Sequence, residues 1–438
     1  MDSNLLPIFL KQGRVTTDTR QITPGDIFFA LKGERFDGNK YAGDAIEKGA
    51  AYTVIDDPTV AVQGDDRFIL VKNALTALQE LASAYRKRWN FPVLGLTGSN
   101  GKTTTKELIV AALKDSFKVH ATAGNYNNHI GVPLTLLSIP EDAEIAVVEM
   151  GTNQPGDIAQ LASIAAPTHA LITNVGHAHL EKLISLEGVK VEKGALFDFV
   201  KVHNGVGFIN LGDHRVEEAG KRIRNRMTFN SELADLQLES LTEGLDQMEV
   251  RVKANKWPEA EQFNMQLTGA HNAQNLLAAL TVGTHFGLKA SQMRPGLESY
   301  QSQNNRSQLI QKGRFQIWLD AYNANPDSMK ASIQHVCAEV NGEGCLLVLG
   351  DMLELGHFSR EAHQEMGKFI NQFQPERVVG VGPQMHAMVE AVTAPSCWFP
   401  EANAAIPHLP ELLVDVERIL IKGSRGMALE RLVEEIPG

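Results

Sequence analysis

Short apolar runs rich in Val, Ile and Leu alternate along the chain with longer stretches whose apolar residues follow helical spacing. This alternation is typical of parallel sheets covered by helices. At roughly one domain per 150 residues, the chain has room for about three such units. The pattern therefore predicts an α/β protein with three tandem domains, at residues 1–88, 89–303 and 304–438. The first is a small α/β domain, the second has a parallel sheet, and the third is a further α/β unit.

The individual elements follow from the same pattern. In the first domain it predicts strands at residues 26–31, 51–55 and 68–71 and a helix over 74–88. In the second it predicts strands at 92–97, 145–149, 170–175 and 205–210, with helices over 102–114 and 271–286. Alternation at 248–252, inside a more polar stretch over 236–267, predicts an antiparallel appendage. The polar run 299–307 predicts a linker, and strands at 317–320, 345–349, 378–381 and 418–421 belong to the third domain.

Composition narrows the class of protein. Hydrophobic residues make up 43% and charged residues 21%, as in ordinary folded domains, which argues against disorder and coiled coil. The formal net charge of −11 disfavours nucleic acid and anionic lipid as partners. The three cysteines, Cys337, Cys345 and Cys397, form neither a disulfide framework nor a zinc cluster. Because the chain also shows neither a signal peptide nor a long apolar run, we expect a cytoplasmic protein, acting as a monomer.

The strongest chemical signal is the segment TGSNGKTTT, between a predicted strand and a predicted helix. Its glycines let successive backbone N–H groups face a phosphate, and the following helix adds its positive end. Lys102 would neutralise the phosphates and the Thr103 hydroxyl would bind Mg²⁺. The strict motif has glycine where Leu96 stands, and Gly98 supplies a shorter G-x-x-G-K-T form. The segment predicts binding of a nucleoside triphosphate, with an ordinary strand–helix turn as the plain alternative.

Polar residues follow two further predicted strands. Glu149 ends one of them, and a carboxylate at that edge of a sheet can hold Mg²⁺ beside Thr103. The plain alternative is a helix cap or a solvated strand end. His177 and His179 alternate onto one face of the next strand, where a pair of imidazoles could bind a transition metal. Because no cysteine or third clustered histidine completes a zinc site, solvated histidines are the plain alternative there.

Two lysines lie on the helix that follows these histidines. Lys190 and Lys193 stand three residues apart, among Glu187 and Glu192. Taken alone, this pattern predicts a solvent-exposed helix face stabilised by ion pairs.

Several motifs together carry a family resemblance. In chain order they are DTRQITPGDIFFALKGERFDG, TGSNGKTTTKE, GNYNNHIGVPLTLL, VVEMGTNQPGDI, TNVGHAHLE, GAHNAQNLLAAL, DAYNANPDSM, LGDMLELG and KGSRGMALE. They resemble the Mur ligase family of ATP-dependent amide ligases in peptidoglycan precursor synthesis. The motifs YNANP and LGDMLELG resemble those of the family member that joins D-alanyl-D-alanine to UDP-N-acetylmuramoyl-tripeptide.

The resemblance implies a UDP-sugar domain over residues 1–88, an ATP-binding P-loop domain over 89–303 and a Rossmann-like ligase domain over 304–438. The implied ATP-binding residues are Gly98, Ser99, Asn100, Gly101, Lys102, Thr103, Thr104, Asn272 and Asn323 near adenine, and Asp320 on the ribose. The implied Mg²⁺ site uses Thr103, Glu149, His179 (rather than His177) and a carbamylated Lys193. Arg306 is implied at the γ-phosphate, Thr19 and Arg20 at the uridine diphosphate, and Asn128 at the muramyl peptide. The implied catalytic set is Lys102, Glu149, His179, Lys193 and Arg306.

The chemistry implied by the resemblance is physically coherent. A carboxylate does not react with an amine, because its leaving group would be oxide. Phosphoryl transfer from ATP turns the carboxylate into an acyl phosphate and splits one hard step into two easier ones. The amine of D-alanyl-D-alanine then displaces phosphate. The base that deprotonates this amine and the third residue of the stem peptide, lysine or diaminopimelate, stay undetermined.

Two alternatives remain at this point. One is another carboxylate–amine ligase, either the preceding Mur ligase or a folate-polyglutamylating relative. The preceding ligase usually carries a D-N/D-D-P-R type signature where this chain reads DAYNANP. The other alternative is a non-catalytic nucleotide-binding regulator, which would not need Glu149, His179 and Lys193 together.

Overall fold

The computed structural model describes residues 5–34, 36–244, 246–302, 306–337, 340 and 342–438. These residues form three sheets, one after another along the chain, each flanked by helices. The α/β class and the order of three tandem α/β units are therefore confirmed.

The N-terminal sheet is parallel throughout, in the strand order β1-β2-β3-β4. Its elements are α1 (Leu5–Gln12), β1 (Val15–Thr16), β2 (Ile27–Phe29), α2 (Ala42–Glu47), β3 (Tyr52–Ile55), β4 (Phe68–Leu70) and α3 (Ala74–Arg86). The sequence pattern missed α1, β1 and α2, because each is too short for its periodicity to stand out.

The central sheet is the largest, in the order β13-β12-β11-β10-β9-β8-β5-β7-β6. Its first half contains β5 (Val93–Thr97), α4 (Lys102–Leu113), β6 (Val119–Ala121), α5 (Gly131–Leu137), β7 (Ile145–Glu149), α6 (Asp157–Ala165), β8 (His169–Ile172), α7 (Leu180–Leu183) and α8 (Leu186–Val202). Its second half contains β9 (Val206–Asn210), α9 (His214–Gly220), β10 (Asn225–Phe229), β11 (Leu236–Glu243), β12 (Met248–Ala254), β13 (Glu261–Met265), α10 (Ala270–His285) and α11 (Ala290–Glu298).

Helices cover both faces of the parallel part of this sheet, as such sheets require. On one face, α5, α6 and α8 share an apolar core with α3 of the N-terminal domain. On the other face, α4 and α10 pack on the sheet together with the inward side chains of β12 and β13. The predicted antiparallel segment is confirmed, and it extends the sheet, because β11 pairs parallel with β10 and antiparallel with β12.

The C-terminal sheet has the order β14-β15-β19-β16-β17-β18, with only β14 antiparallel to its neighbour among the described strands. Its first elements are β14 (Gln308–Lys312), β15 (Phe315–Asp320), α12 (Pro326–Cys337), β16 (Cys345–Gly350), α13 (Ser359–Ile370), β17 (Arg377–Val381) and α14 (Met385–Val389). The others are β18 (Ser396–Phe399), α15 (Ala402–Ala405), α16 (Leu409–Leu412), β19 (Arg418–Lys422) and α17 (Glu430–Glu435).

The strand predicted at residues 170–175 is wrong at its end. β8 stops at Ile172. The Thr173 N–H still donates to the Thr97 carbonyl of β5 at 3.0 Å, but the Thr173 side chain and the Val175 main chain bond to loops. The Thr173 hydroxyl donates to the Asn100 carbonyl at 2.6 Å, and the Val175 N–H donates to Asp213 at 2.8 Å. Part of the linker predicted at 299–307 lies outside the described residues. Within the described ranges, no helix is both long and apolar enough to cross a membrane.

Arg86 joins the first two domains. It is the last residue of α3, and its side chain is buried. Its Nε donates to the Ala165 carbonyl at 2.9 Å and its Nη2 to the Ala166 carbonyl at 2.8 Å. These carbonyls end α6, so the guanidinium satisfies helix-terminal acceptors that have no partner within the helix.

We expect Arg86→Ala to lower the free energy of unfolding by about 2–3 kcal/mol, because it leaves buried carbonyls without their charged donor. Arg88→Ala is the matched control, since Arg88 is half-exposed and only 3.4 Å from the exposed Glu141. We expect its loss to stay below about 0.5 kcal/mol. Urea unfolding followed by the fluorescence of the adjacent Trp89 measures both. Equal losses in the two variants would contradict the conclusion that Arg86 stabilises the contact between the first two domains.

Candidate active site

The loop between β5 and α4 is held closely by its surroundings. A Cβ at Gly98 would lie 1.8 Å from the Thr173 hydroxyl. Gly101 has a φ of 77°, and a Cβ there would lie 2.5 Å from the Asn275 side-chain oxygen on α10. Both positions therefore require glycine, and the loop is fixed between the end of β8 and α10.

Lys102 begins α4 and folds back over this loop. Its ammonium donates to the Gly98 carbonyl at 2.7 Å and lies 3.4 Å from the Ser99 carbonyl. Burial lowers the pKa of Lys102, and the charge of Arg306 lowers it further, although Glu149 opposes the shift. The sequence motif therefore forms a loop–helix junction with a cation at its centre, the arrangement that suits phosphate binding.

Glu149 and Thr103 face each other beside that junction. Glu149 ends β7 and is 1% exposed. The Thr103 hydroxyl donates to its two carboxylate oxygens at 3.2 and 3.0 Å, and Asn127 Nδ2 donates at 2.8 Å. Lys106 lies 4.0 Å away. A hydroxyl and a carboxylate side by side form an oxygen pair of the kind that Mg²⁺ prefers.

His177 and His179 lie beyond the end of β8, so the prediction that they share a strand face is wrong. Each meets a carboxylate of the C-terminal domain, and the His177 side chain also stays 43% exposed. His177 Nδ1 is 3.1 Å from Asp327, whose carboxylate also accepts the His177 main-chain N–H at 2.8 Å. His179 Nδ1 is 2.6 Å from Glu354 Oε2, and this hydrogen bond lowers the pKa of Glu354.

Lys190 and Lys193 occupy opposite environments on α8. Lys190 forms ion pairs at 2.9 Å with both Glu187 and Glu218, as the sequence pattern predicted. Lys193 is 0% exposed, so the same prediction is wrong for it. Its side chain is enclosed in the protein interior.

The amino group of Lys193 has no hydrogen-bond acceptor among the described residues. The neighbouring Glu192 is already used, because its carboxylate accepts from Thr152 Oγ1, Gly156 N and Ile158 N at 3.1, 2.6 and 2.7 Å. Burial lowers the pKa of Lys193 well below its usual value, and repulsion from the Lys102 ammonium adds to the shift. Both effects favour the neutral amine over the ammonium.

The C-terminal domain contributes a second charged cluster. Asp320 ends β15 and forms an ion pair with Lys422, the buried last residue of β19. Burial opposes ionisation of Asp320, but Lys422 prevails and lowers its pKa. Arg306 stacks 3.6 Å above the Tyr322 ring, and Arg425 lies 5.3 Å from the same ring. Two guanidinium groups therefore lie near this aromatic ring.

The resemblance places two asparagines near the adenine, and they differ in burial and in their hydrogen bonds. Asn272 on α10 is buried and donates to the Thr268 carbonyl at 2.8 Å. Asn323 is exposed, and its side-chain oxygen accepts only the Ala324 N–H among described donors, at 2.9 Å.

A cavity of about 570 Å³ opens between the central and C-terminal domains. It brings together most of the residues singled out from the sequence. They are Ser99, Asn100, Gly101, Lys102, Thr103, Thr104, Asn128, Glu149, His177, His179, Asn272, Arg306, Asp320 and Asn323. The P-loop and the charged cluster of the C-terminal domain therefore face one shared space.

Other predicted site residues lie outside this lining. Lys193 is enclosed in the protein interior, and Gly98 packs against Thr173. Thr19 and Arg20 lie on a turn of the N-terminal domain after β1. The Arg20 guanidinium forms a two-pronged pair with Asp18 and its side chain is 85% exposed.

Sequence reasoning missed several residues of the site: Asn127, Asp327 and Lys422 line the cavity, and Glu354 bonds to His179. Asn127 stands beside the predicted Asn128, Asp327 follows YNANP, Glu354 lies in LGDMLELG and Lys422 begins KGSRG. The motifs were noticed, but only the contacts reveal which side chain of each one is used. Across the described ranges, no group of three or more His, Cys, Asp or Glu side chains is arranged to hold a metal.

Comparison with protein families agrees with the three-sheet organisation. The profile described as "Mur ligase family, catalytic domain" matches residues 13–86. The "Mur ligase middle domain" matches residues 96–283, and the "Mur ligase, glutamate ligase domain" matches residues 305–425.

Whole-chain relatives extend the comparison. A UDP-N-acetylmuramoyl-tripeptide–D-alanyl-D-alanine ligase of Bacillus subtilis (strain 168) is 36% identical, with 96% of this chain and 92% of that protein covered. The Escherichia coli (strain K12) protein of the same name is 35% identical, with 96% and 93% covered.

Solved structures show the same architecture over nearly the full chain. A crystal structure of MurF from Acinetobacter baumannii matches with a TM-score of 0.88 at 30% identity, covering 96% of this chain and 92% of that one. A crystal structure of MurF ligase from Thermotoga maritima in complex with ADP matches with a TM-score of 0.86 at 28% identity, covering 97% of each chain. With family profiles on all three units and relatives above 30% identity across both lengths, the chain belongs to the Mur ligase family.

Proposed function

We propose that this chain is an ATP-dependent ligase that joins D-alanyl-D-alanine to the terminal carboxylate of UDP-N-acetylmuramoyl-tripeptide, releasing ADP and phosphate. The observation that carries the proposal is the shared cavity, where the P-loop, Glu149 and His179 face Arg306 and Asp320 of the other domain. The names of the curated relatives support the substrates, and the ADP complex of the Thermotoga protein supports use of ATP.

In this proposal the tripeptide carboxylate attacks the γ-phosphorus of ATP, the bond to ADP breaks, and an acyl phosphate forms. The amine of D-alanyl-D-alanine then attacks the acyl carbon, and inorganic phosphate leaves as the amide forms. Lys102 and Arg306 stabilise negative charge on the phosphoryl group during transfer. Closure of the two domains excludes water, which would otherwise hydrolyse the acyl phosphate.

The residues present fit a bound Mg²⁺ ion. The oxygens of Thr103 and Glu149 lie within 3.2 Å of each other in a buried position, and the Lys106 ammonium lies 4.0 Å from the carboxylate. Thr103, Glu149, His179 and a carbamylated Lys193 would hold the ion, which supplies charge neutralisation on the phosphates. Asn127 holds the Glu149 carboxylate in position at 2.8 Å.

The burial of Lys193 supports its carbamylation. The neutral amine attacks carbon dioxide, a nitrogen–carbon bond forms, and one proton is released. The product carries a carboxylate head in place of an ammonium, so repulsion from Lys102 becomes attraction. The absence of any acceptor for Lys193 Nζ among the described residues supports this assignment.

The remaining substrate contacts extend the proposal along the chain. Asn272 and Asn323 contact the adenine, and Asp320, held by Lys422, contacts the ribose. Thr19 and Arg20 bind the uridine diphosphate, and Asn128 contacts the muramyl peptide. We place the domain boundaries at residues 1–88, 89–303 and 304–438, which fall between the three sheets.

We further infer that the protein works in the cytoplasm as a monomer and binds neither nucleic acid nor membrane. Its net charge of −11 supports the exclusion of polyanionic partners. A different amide ligase or a non-catalytic regulator is not favoured, because the relatives named above match across 92% or more of their length.

We expect phosphate release to require ATP, Mg²⁺, UDP-N-acetylmuramoyl-tripeptide and D-alanyl-D-alanine together, with one amide formed per phosphate. A coupled phosphate assay with each component omitted in turn measures this. Free glutamate and diaminopimelate in place of D-alanyl-D-alanine are the controls for the other ligases. Equal turnover with either amino acid would contradict the proposed substrate.

We expect Lys193→Met to lower kcat by about a hundredfold or more, because the apolar side chain fills the space without supplying a charged head. Short carboxylic acids added to Lys193→Ala should restore part of the rate. Lys190→Ala is the matched control on the same helix, and its ion-pair loss should cost less than about 1 kcal/mol of stability without loss of turnover. Near-normal turnover of both Lys193 variants would place the function of this residue elsewhere.

A further inference from the structure

Two histidine–carboxylate pairs join the central domain to the C-terminal domain. His177 pairs with Asp327, and His179 pairs with Glu354. The histidines stand two residues apart after β8, whereas the carboxylates come from α12 and from the loop after β16. The two pairs are chemically alike, but only His179 belongs to the proposed Mg²⁺ site.

The backbone on both sides of the second pair is unusual. His179 has a φ of 55° and Glu354 a φ of 65°, the left-handed region that residues with a Cβ rarely adopt. The Glu181 N–H also donates to the Glu354 carbonyl at 3.0 Å. Such conformations persist where surrounding contacts determine them, and they concentrate at functional sites. The surrounding contacts therefore hold α7 and the Glu354 loop in this particular arrangement.

The direction of the hydrogen bond determines which histidine nitrogen remains free. A carboxylate accepts only, so His179 Nδ1 carries the hydrogen that reaches Glu354 Oε2 at 2.6 Å. In a neutral imidazole this leaves Nε2 with its lone pair, the form that ligates a metal. Histidine ligands commonly donate their other ring N–H to a carboxylate, which sets the tautomer and the ring orientation.

We propose that Glu354 is a positioning residue that sets the tautomer and orientation of the metal ligand His179 when the C-terminal domain closes on the central domain. This inference rests on the proposed function, which makes His179 a ligand. Because Glu354 belongs to the closing domain, the metal site is completed only in the closed protein. Metal affinity and domain closure are then coupled through one hydrogen bond.

The test uses Mn²⁺ in place of Mg²⁺ on the full-length protein with ADP. Electron spin echo spectroscopy detects nitrogen nuclei bound to Mn²⁺, and titration gives the Mn²⁺ dissociation constant. Glu354→Asn is the main variant, because asparagine tolerates the left-handed backbone but its side chain is one methylene too short to reach His179. Glu354→Gln keeps both the reach and an acceptor oxygen. Glu354→Met, which has no acceptor oxygen, is a second test variant should Glu354→Asn fail to fold.

Two further variants separate this inference from its premise. His179→Ala identifies the nitrogen signal that belongs to His179. Asp327→Asn is the matched control, because it alters the other carboxylate–histidine pair across the same interface without touching His179.

We expect a nitrogen signal in the wild type that His179→Ala removes. Glu354→Asn and Glu354→Met should weaken this signal and raise the Mn²⁺ dissociation constant about tenfold, in the range of lost carboxylate partners of metal ligands. Glu354→Gln should retain most of the signal, and Asp327→Asn should change the constant by less than about threefold.

An unchanged signal and constant in a folded Glu354→Asn or Glu354→Met protein would overturn the positioning role while leaving His179 as a ligand. Absence of a His179-dependent signal in the wild type would show that His179 is not a metal ligand, and the inference would then fail as well. Phosphate release by the wild type tests the proposed ligase reaction separately, so the two failures are distinguishable.

Discussion

A fully buried amine without an acceptor cannot carry a positive charge at a low free-energy cost, and Lys193 holds such an amine close to the Lys102 ammonium. Either the amine stays neutral or it gains a group of opposite charge. The second outcome would suit the chemistry, because phosphoryl transfer from ATP uses a bound cation, and that cation would need anionic ligands beside Glu149. The paired Lys190, on the same helix, shows that α8 itself does not impose this environment.

The second organising feature is the interface between domains. The central domain supplies the phosphate loop and Glu149, and the C-terminal domain supplies Arg306 and the Asp320–Lys422 pair. Side chains of the two domains meet directly, as when Asn325 Nδ2 donates to Asn100 Oδ1 at 2.7 Å. A site divided in this way can admit substrates while the domains are apart and exclude water when they meet.

Sequence reasoning was sufficient for the features that local pattern determines. The parallel strands, the P-loop junction and Glu149 at the end of β7 all follow from short apolar runs and from loop chemistry. The end of β8 could not be predicted, because Thr173 and Val175 bond to loops far away in sequence. Helical spacing alone predicted an exposed Lys193, because spacing does not reveal which neighbouring element covers a helix face. The partners of His177 and His179 depend on how two domains meet, which no local pattern encodes.

The central claim, that Lys193 carries a carbamate, is tested most directly by carbon-13 NMR of the protein equilibrated with ¹³C-bicarbonate. The account predicts a carbamate signal that persists in Lys190→Ala and disappears in Lys193→Met. Mg²⁺ and nucleotide should strengthen the signal, because they add cationic partners and close the site. A wild-type spectrum without the signal, or a signal of equal intensity in Lys193→Met, would contradict the account.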